Sequence, residues 1–110
     1  MFVAEVKDAE IIEEVTRQAA EAGITDAAVV TVIGAVDSFT VSTMPADDPS
    51  ADIVTDYKLP GEITGAVGEL RDGKVHLHLT LAVEGDRAVA GHLHKAQVGA
   101  WFARVYLLPA

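Results

Sequence analysis

At 110 residues the chain has room for one modest core, since a fold of this size hides about two-thirds of the area its unfolded chain exposes. Lys and Arg number 8 against 17 Asp and Glu, a formal net charge of -9, which excludes a chain built to neutralise nucleic-acid phosphates by itself. Half the residues are hydrophobic and Cys is absent, so disorder, disulfides and thiolate metal sites are excluded, and no apolar run approaches the roughly 20 residues that span a bilayer.

The charge is uneven. Residues 1–60 hold 12 of the 17 acids and only Lys7, Arg17 and Lys58 as bases, while residues 61–110 balance five acids with five bases and contain all four His, at 76, 78, 92 and 94. No block of five or six like charges occurs, so the acidic half reads as a solvated helix face and a solvated loop. The start, with Glu5, Lys7 and Asp8, has no secretory h-region, and the expectation is a single cytoplasmic domain over 1–110 with no membrane partner.

In chain order, Met1 to Val6 alternates weakly and predicts a short first strand, possible at an edge. Asp8 is placed to cap a helix from about Ala9 to Ala22, with Glu10, Glu13 and Glu14 at the positive end of its dipole. Ile11, Ile12, Val15, Ala19 and Ala22 share one helical face, and Gly23 stands where a left-handed C-cap is wanted. Ala27 to Ile33 is rich in β-branched residues and predicts a strand, Gly34 a bend or bulge, and Ala35 to Thr43 a continuation. Met44 to Pro60 carries three of the four Pro and four Asp, and reads as an irregular crossing with a short strand at Asp52 to Tyr57. Then come Glu62 to Leu70, a turn at Arg71, Asp72 and Gly73, two strands around Glu84, Gly85 and Asp86, and a last strand Ala100 to Leu108.

The informative stretch is Val75 to His94, VHLHLTLAVEGDRAVAGHLH. Odd positions (Val75, Leu77, Leu79, Leu81, Val83, then Val89 and Leu93) form a core face, leaving His76, His78, Thr80, Ala82, Ala88, Ala90, His92 and His94 on the other. Both registers coexist only if odd pairs with odd, which demands an odd loop such as Glu84-Gly85-Asp86 and places His78 opposite His92 and His76 opposite His94. Gly85-Asp86 alone would suit a two-residue type II′ turn and put His78 opposite Leu93, but misfacing three Leu costs about 1.5 to 3 kcal/mol each, more than a turn preference returns.

Cross-strand Cβ atoms lie about 5 Å apart, so four imidazoles would share one patch. Three neutral imidazoles satisfy a zinc site with one open position, and Ni²⁺, Cu²⁺ or Fe²⁺ would also accept them. His76, His78 and His92 are therefore candidate metal ligands, with His94 a further candidate and zinc the first choice of metal. Polar decoration of a half-exposed sheet, a subunit contact and a pH switch are the competing readings of the same residues. Other constellations fail: GEITGAVG lacks the Lys and Ser/Thr of a P-loop, and Ser38, Ser42 and Ser50 lack a nucleophile-elbow context. Trp101, Phe102 and Tyr106 read as core or interface. The last strand is apolar on both faces, and one helix cannot cover both sides of a sheet, so the chain is expected to form a homo-oligomer.

The helix followed by GITDAAVVTVIGAVDSFTV, EITGAVG, GKVHLHLTLA and AGHLHKAQV resembles the PPC domain, the plants-and-prokaryotes conserved domain, over essentially the whole chain. The HLHL and GHL signatures, with Glu62 six residues before Gly68, carry the resemblance. It implies an α/β (α+β) fold, a mostly antiparallel sheet of five or six strands with one main helix on one face, forming a homotrimer, and it points to His76, His78 and His92 as the metal-binding residues of stand-alone prokaryotic members. In plants the domain accompanies an AT-hook in nuclear DNA-binding proteins, but this chain has no Arg-Gly-Arg-Pro core, and its charge argues against nucleic acid as a partner. Ala90 stands where the family has the first Gly of GGHL, and Arg104 where a Glu is common. The resulting expectation is a binding or assembly module with a His-lined metal site and no assigned catalytic residue. The alternatives are a cupin-like metal-dependent enzyme, with Glu62, Glu84 or a loop Asp as base, and a DNA-associated regulator acting as a trimer.

Overall fold

Alternating apolar residues dominate the chain, and in the computed structural model, which describes Met1–Ala110, they form strands around a single short helix. The order is β1 (Phe2–Val6), β2 (Ala9–Glu10), α1 (Ile11–Glu21), β3 (Ala27–Val36), β4 (Ser38–Thr43), β5 (Ile53–Tyr57), β6 (Gly61–Arg71), β7 (Lys74–Val83), β8 (Arg87–Val98) and β9 (Ala103–Pro109). All pairings are antiparallel, in the order β1-β9-β3-β6-β7-β8-β4-β5, with the two residues of β2 added beside β8. The sheet thus has nine strands, not five or six. The excess comes from short β2, from a break at Asp37 that divides the expected long strand in two, and from β5, the short strand expected at Asp52 to Tyr57, which joins the far edge. No helix is long and apolar enough to cross a membrane.

That break shapes the sheet. Only Asp37 separates β3 from β4, yet three strands, β6, β7 and β8, lie between them in the sheet, so the sheet must curl back on itself. The Asp37 amide donates to the Gln97 carbonyl at 2.8 Å and fixes the crossing point. Gly34, expected as the bend, stays within β3, where φ is 138° and a Cβ would sit 2.0 Å from the Phe102 carbonyl oxygen. Its role is to let the turn before β9 approach the strand.

Helix α1 fills the inside of the curl. Ile11, Val15 and Ala19 are fully buried in the same core as Leu77, Leu79, Leu81, Leu93, Val98 and Leu107, whereas Ala22 is exposed. The cap differs from expectation: Asp8 lies in the β1–β2 turn with φ 48°, and Glu10 is the N-cap. Its carboxylate accepts from the amides of Ile12 and Glu13 and also from that of Ala96 in β8, each at 2.9 Å, so one side chain ends the helix and ties it to the sheet. At the other end Ile24 N–H donates to Ala19 O and Gly23 N–H to Ala20 O, a Schellman motif with Gly23 at φ 72°.

Candidate metal centre

The β7–β8 hairpin sets the site. Val83 pairs with Arg87 across the three-residue loop, His78 pairs with His92, and Leu77, Leu79, Leu81 and Leu93 are buried beneath. Odd therefore pairs with odd, and burial of the leucines overrides the two-residue turn preference of Gly85-Asp86. The loop meets this register with Gly85 and Asp86 both at positive φ, 87° and 58°.

The expected His76–His94 pairing does not form. The β7–β8 ladder ends at His78–His92, because beyond Leu93 strand β8 bulges and turns to pair with β2. Thr40 pairs with Lys95 and Val41 with Leu93, leaving His94 as the extra residue. After the bulge the inward parity switches from odd to even, and Ala96 and Val98 enter the core. The imidazole of His94 is instead drawn to Ser42, with Nε2 and Oγ 2.8 Å apart, while its ring stands edge-on to His92 at a centroid distance of 4.9 Å.

The other three come together. One donor nitrogen from each of His76, His78 and His92 falls in a set within 4.8 Å of one another. The Nε2 atoms of His76 and His78 are 3.2 Å apart, and the three ring centroids are separated by 5.0 to 5.4 Å. Nitrogens bound tetrahedrally to zinc at about 2.0–2.1 Å lie roughly 3.3 Å apart, so the cluster needs only a modest closing of one ring to fit. The donor set suits a borderline metal that accepts imidazole, and exposure of His76 and His78 leaves an open side. Burial is the largest cause lowering the His92 pKa from its ordinary value, followed by the neighbouring His76, His94 and His78, with Asp52 opposing. A neutral imidazole is the form that binds a metal.

The site sits in a row across five strands: Val67, His78, His92, Ser42 and Val54 are successive partners on the outward face. Glu69 was not among the expected carboxylates. It is the cross-strand partner of His76 and lines, with Val67, Gly68, His76 and His78, an open cavity of about 270 Å³. The signal was present, since a two-residue turn at Asp72-Gly73 pairs Arg71 with Lys74 and so puts Glu69 opposite His76. Glu62 pairs with Ala82 and Glu84 lies in the hairpin loop, and neither lines this cavity. Arg104, in place of a Glu, donates from Nε to Glu5 at 3.0 Å and covers the Phe102 ring, while Trp101, expected in a core or interface, is 67% exposed.

A model of the Plants and Prokaryotes Conserved (PCC) domain matches residues 1–108. The chain belongs to the PCC-domain family. Among solved structures, this PCC chain is similar to a metal-containing protein from Archaeoglobus fulgidus, with 25% identity, a TM-score of 0.80, and coverage of 98% of this chain and 77% of that one. It is similar as well to a candidate DNA-binding protein from Bacteroides thetaiotaomicron, with 26% identity, a TM-score of 0.76, and coverage of 94% and 75%. A plant- and prokaryote-conserved (PPC) protein from Pyrococcus horikoshii, 19% identical with a TM-score of 0.83 over 99% and 78% of the two chains, shares the fold. No curated protein matches the PCC chain.

Proposed function

We propose that the chain is a metal-binding assembly module, in which His76, His78 and His92 hold a divalent transition metal, zinc first, on each subunit of a homotrimer. The observation that carries this reading is the convergence of three imidazole nitrogens within 4.8 Å on an open face. A similar structure from Archaeoglobus fulgidus is described as metal-containing, which supports it. Self-association is supported by the outward face, where Ala88, Ala90, Val30, Ile33 and Leu108 are exposed because the only helix lies on the inner side, and the number three rests on the family resemblance.

Elemental analysis of tag-free protein tests the metal. The expected result is close to one transition metal per chain, falling at least about tenfold in the His76→Ala/His92→Ala double variant; less than one metal per several chains, unchanged by the substitutions, overturns the reading.

Glu69 favours a second reading, a metal-dependent enzyme. A metal bound at the triad would polarise a carbonyl or acidify a water, and Glu69 opposite His76 is the carboxylate placed to take up or return a proton. DNA finds less support here: the rows flanking the cluster present Val67, Glu69 and Val54, not a basic stripe, and the net charge is -9.

A further inference from the structure

A cavity of about 470 Å³ that shares no lining residue with the histidine triad lies over β5, β4 and β8. That volume is within the range of sites for small metabolites. Its floor is built from cross-strand partners: Asp56, Thr40 and Lys95 form one row, and Ser38 with Gln97 the start of the next, with Lys58 adjoining on β5's end. Phe39 and Tyr57 stand between these rows, and their stacked rings, with centroids 5.0 Å apart, turn to the core beneath the floor.

The charges of this cavity are not equivalent. Glu10 lines it, but both its oxygens are occupied by three backbone amides. Asp56 accepts the hydroxyl of buried Thr40 on Oδ1 at 2.6 Å and has its other oxygen free. Lys58 and Lys95 have no ion-pair partner, although the chain has more than twice as many acids as bases. Unpaired, hydrated ammoniums on one cavity have donor capacity to offer an incoming anion in exchange for water. The free oxygen of Asp56 then suits a hydroxyl or amino group on the same molecule.

We infer that this cavity binds a small organic anion, its carboxylate or phosphate oxygens held by Lys58 and Lys95 and a neighbouring hydroxyl or amino group held by Asp56. The site does not depend on a metal at the triad. It is nevertheless adjacent, because Thr40 and Ser42 are one two-residue step apart on β4, about 7 Å, and Ser42 is the partner of His92.

The test is titration of isotope-labelled, metal-free protein with succinate, malate, inorganic phosphate and glycerol 3-phosphate, followed by amide shifts. Saturable shifts at Thr40, Asp56, Lys58, Lys95 and Gln97 are expected, tighter for malate than for succinate, with the preferred anion naming carboxylate or phosphate as the source. Lys58→Ala/Lys95→Ala, both exposed positions that leave the core intact, should weaken binding at least about tenfold. His76→Ala/His92→Ala should leave it unchanged, which separates this site from the metal reading. Absence of saturable shifts for all four probes, indifference to the lysine substitutions, or shifts centred on the histidines and lost with them, each overturns the inference.

Discussion

The environment of His92 disfavours a proton. Its folded pKa is lowered, first by burial and then by His76, His94 and His78, so the unfolded chain protonates at this position before the folded one does. The stability this group contributes is therefore complete above its ordinary value of about 6.5 and is lost as pH falls through the lower folded value. Melting of chelator-treated protein between pH 8 and 5 should show a drop in Tm below about pH 6.5 that the His92→Gln variant lacks; an identical profile in that variant removes the assignment. Which histidines meet was legible from alternation, since His76, His78 and His92 all fall on the non-core face. The withdrawal of His94 was not, because it follows from a bulge and from the hydroxyl of Ser42, 52 residues away in the chain.

At the scale of elements, the helix and the hairpin were both read from pattern, but their ends were settled by contacts. Asp8 has the right chemistry for an N-cap, and Glu10 takes the role because its carboxylate can reach Ala96 in β8 as well as the first turn. Glu10→Ala leaves three amides without an acceptor and should cost about 1–2 kcal/mol, visible as a lowered midpoint in urea, while Asp8→Ala should move it by less than about 0.5 kcal/mol. The loop Glu84-Gly85-Asp86 carries a different consequence. Deleting Gly85 leaves the two-residue loop Glu84-Asp86, which still joins Val83 to Arg87 and keeps His78 opposite His92 with the leucines inward. Metal uptake by the deletion variant is expected to match that of the intact chain, and a fall of about tenfold or more means that the three-residue loop is needed to hold the register.

For the whole molecule, the curled sheet encloses one helix and leaves its outward face bare. Val67 is 75% exposed in the same row as the histidines, and Val30, Ile33, Trp101 and Leu108 add apolar surface elsewhere. A surface of this kind is a docking surface or an aggregation liability. Light scattering at micromolar concentration should give three times the chain mass of 11.6 kDa, and a mass of one chain removes the trimer from the proposal.

The sequence by itself determined the helix, the parity of the β7–β8 hairpin and the outward set His76, His78 and His92, because periodicity and the burial of Leu77, Leu79, Leu81 and Leu93 are local statements about which side of the backbone faces water. Tertiary structure alone decided the crossing at Asp37, the capping by Glu10, the capture of His94 by Ser42 and the convergence of Lys58, Asp56 and Lys95 at one cavity. Each of those depends on a hydrogen bond or a surface shared by residues distant in the chain, and no periodicity records which distant strand will be the neighbour.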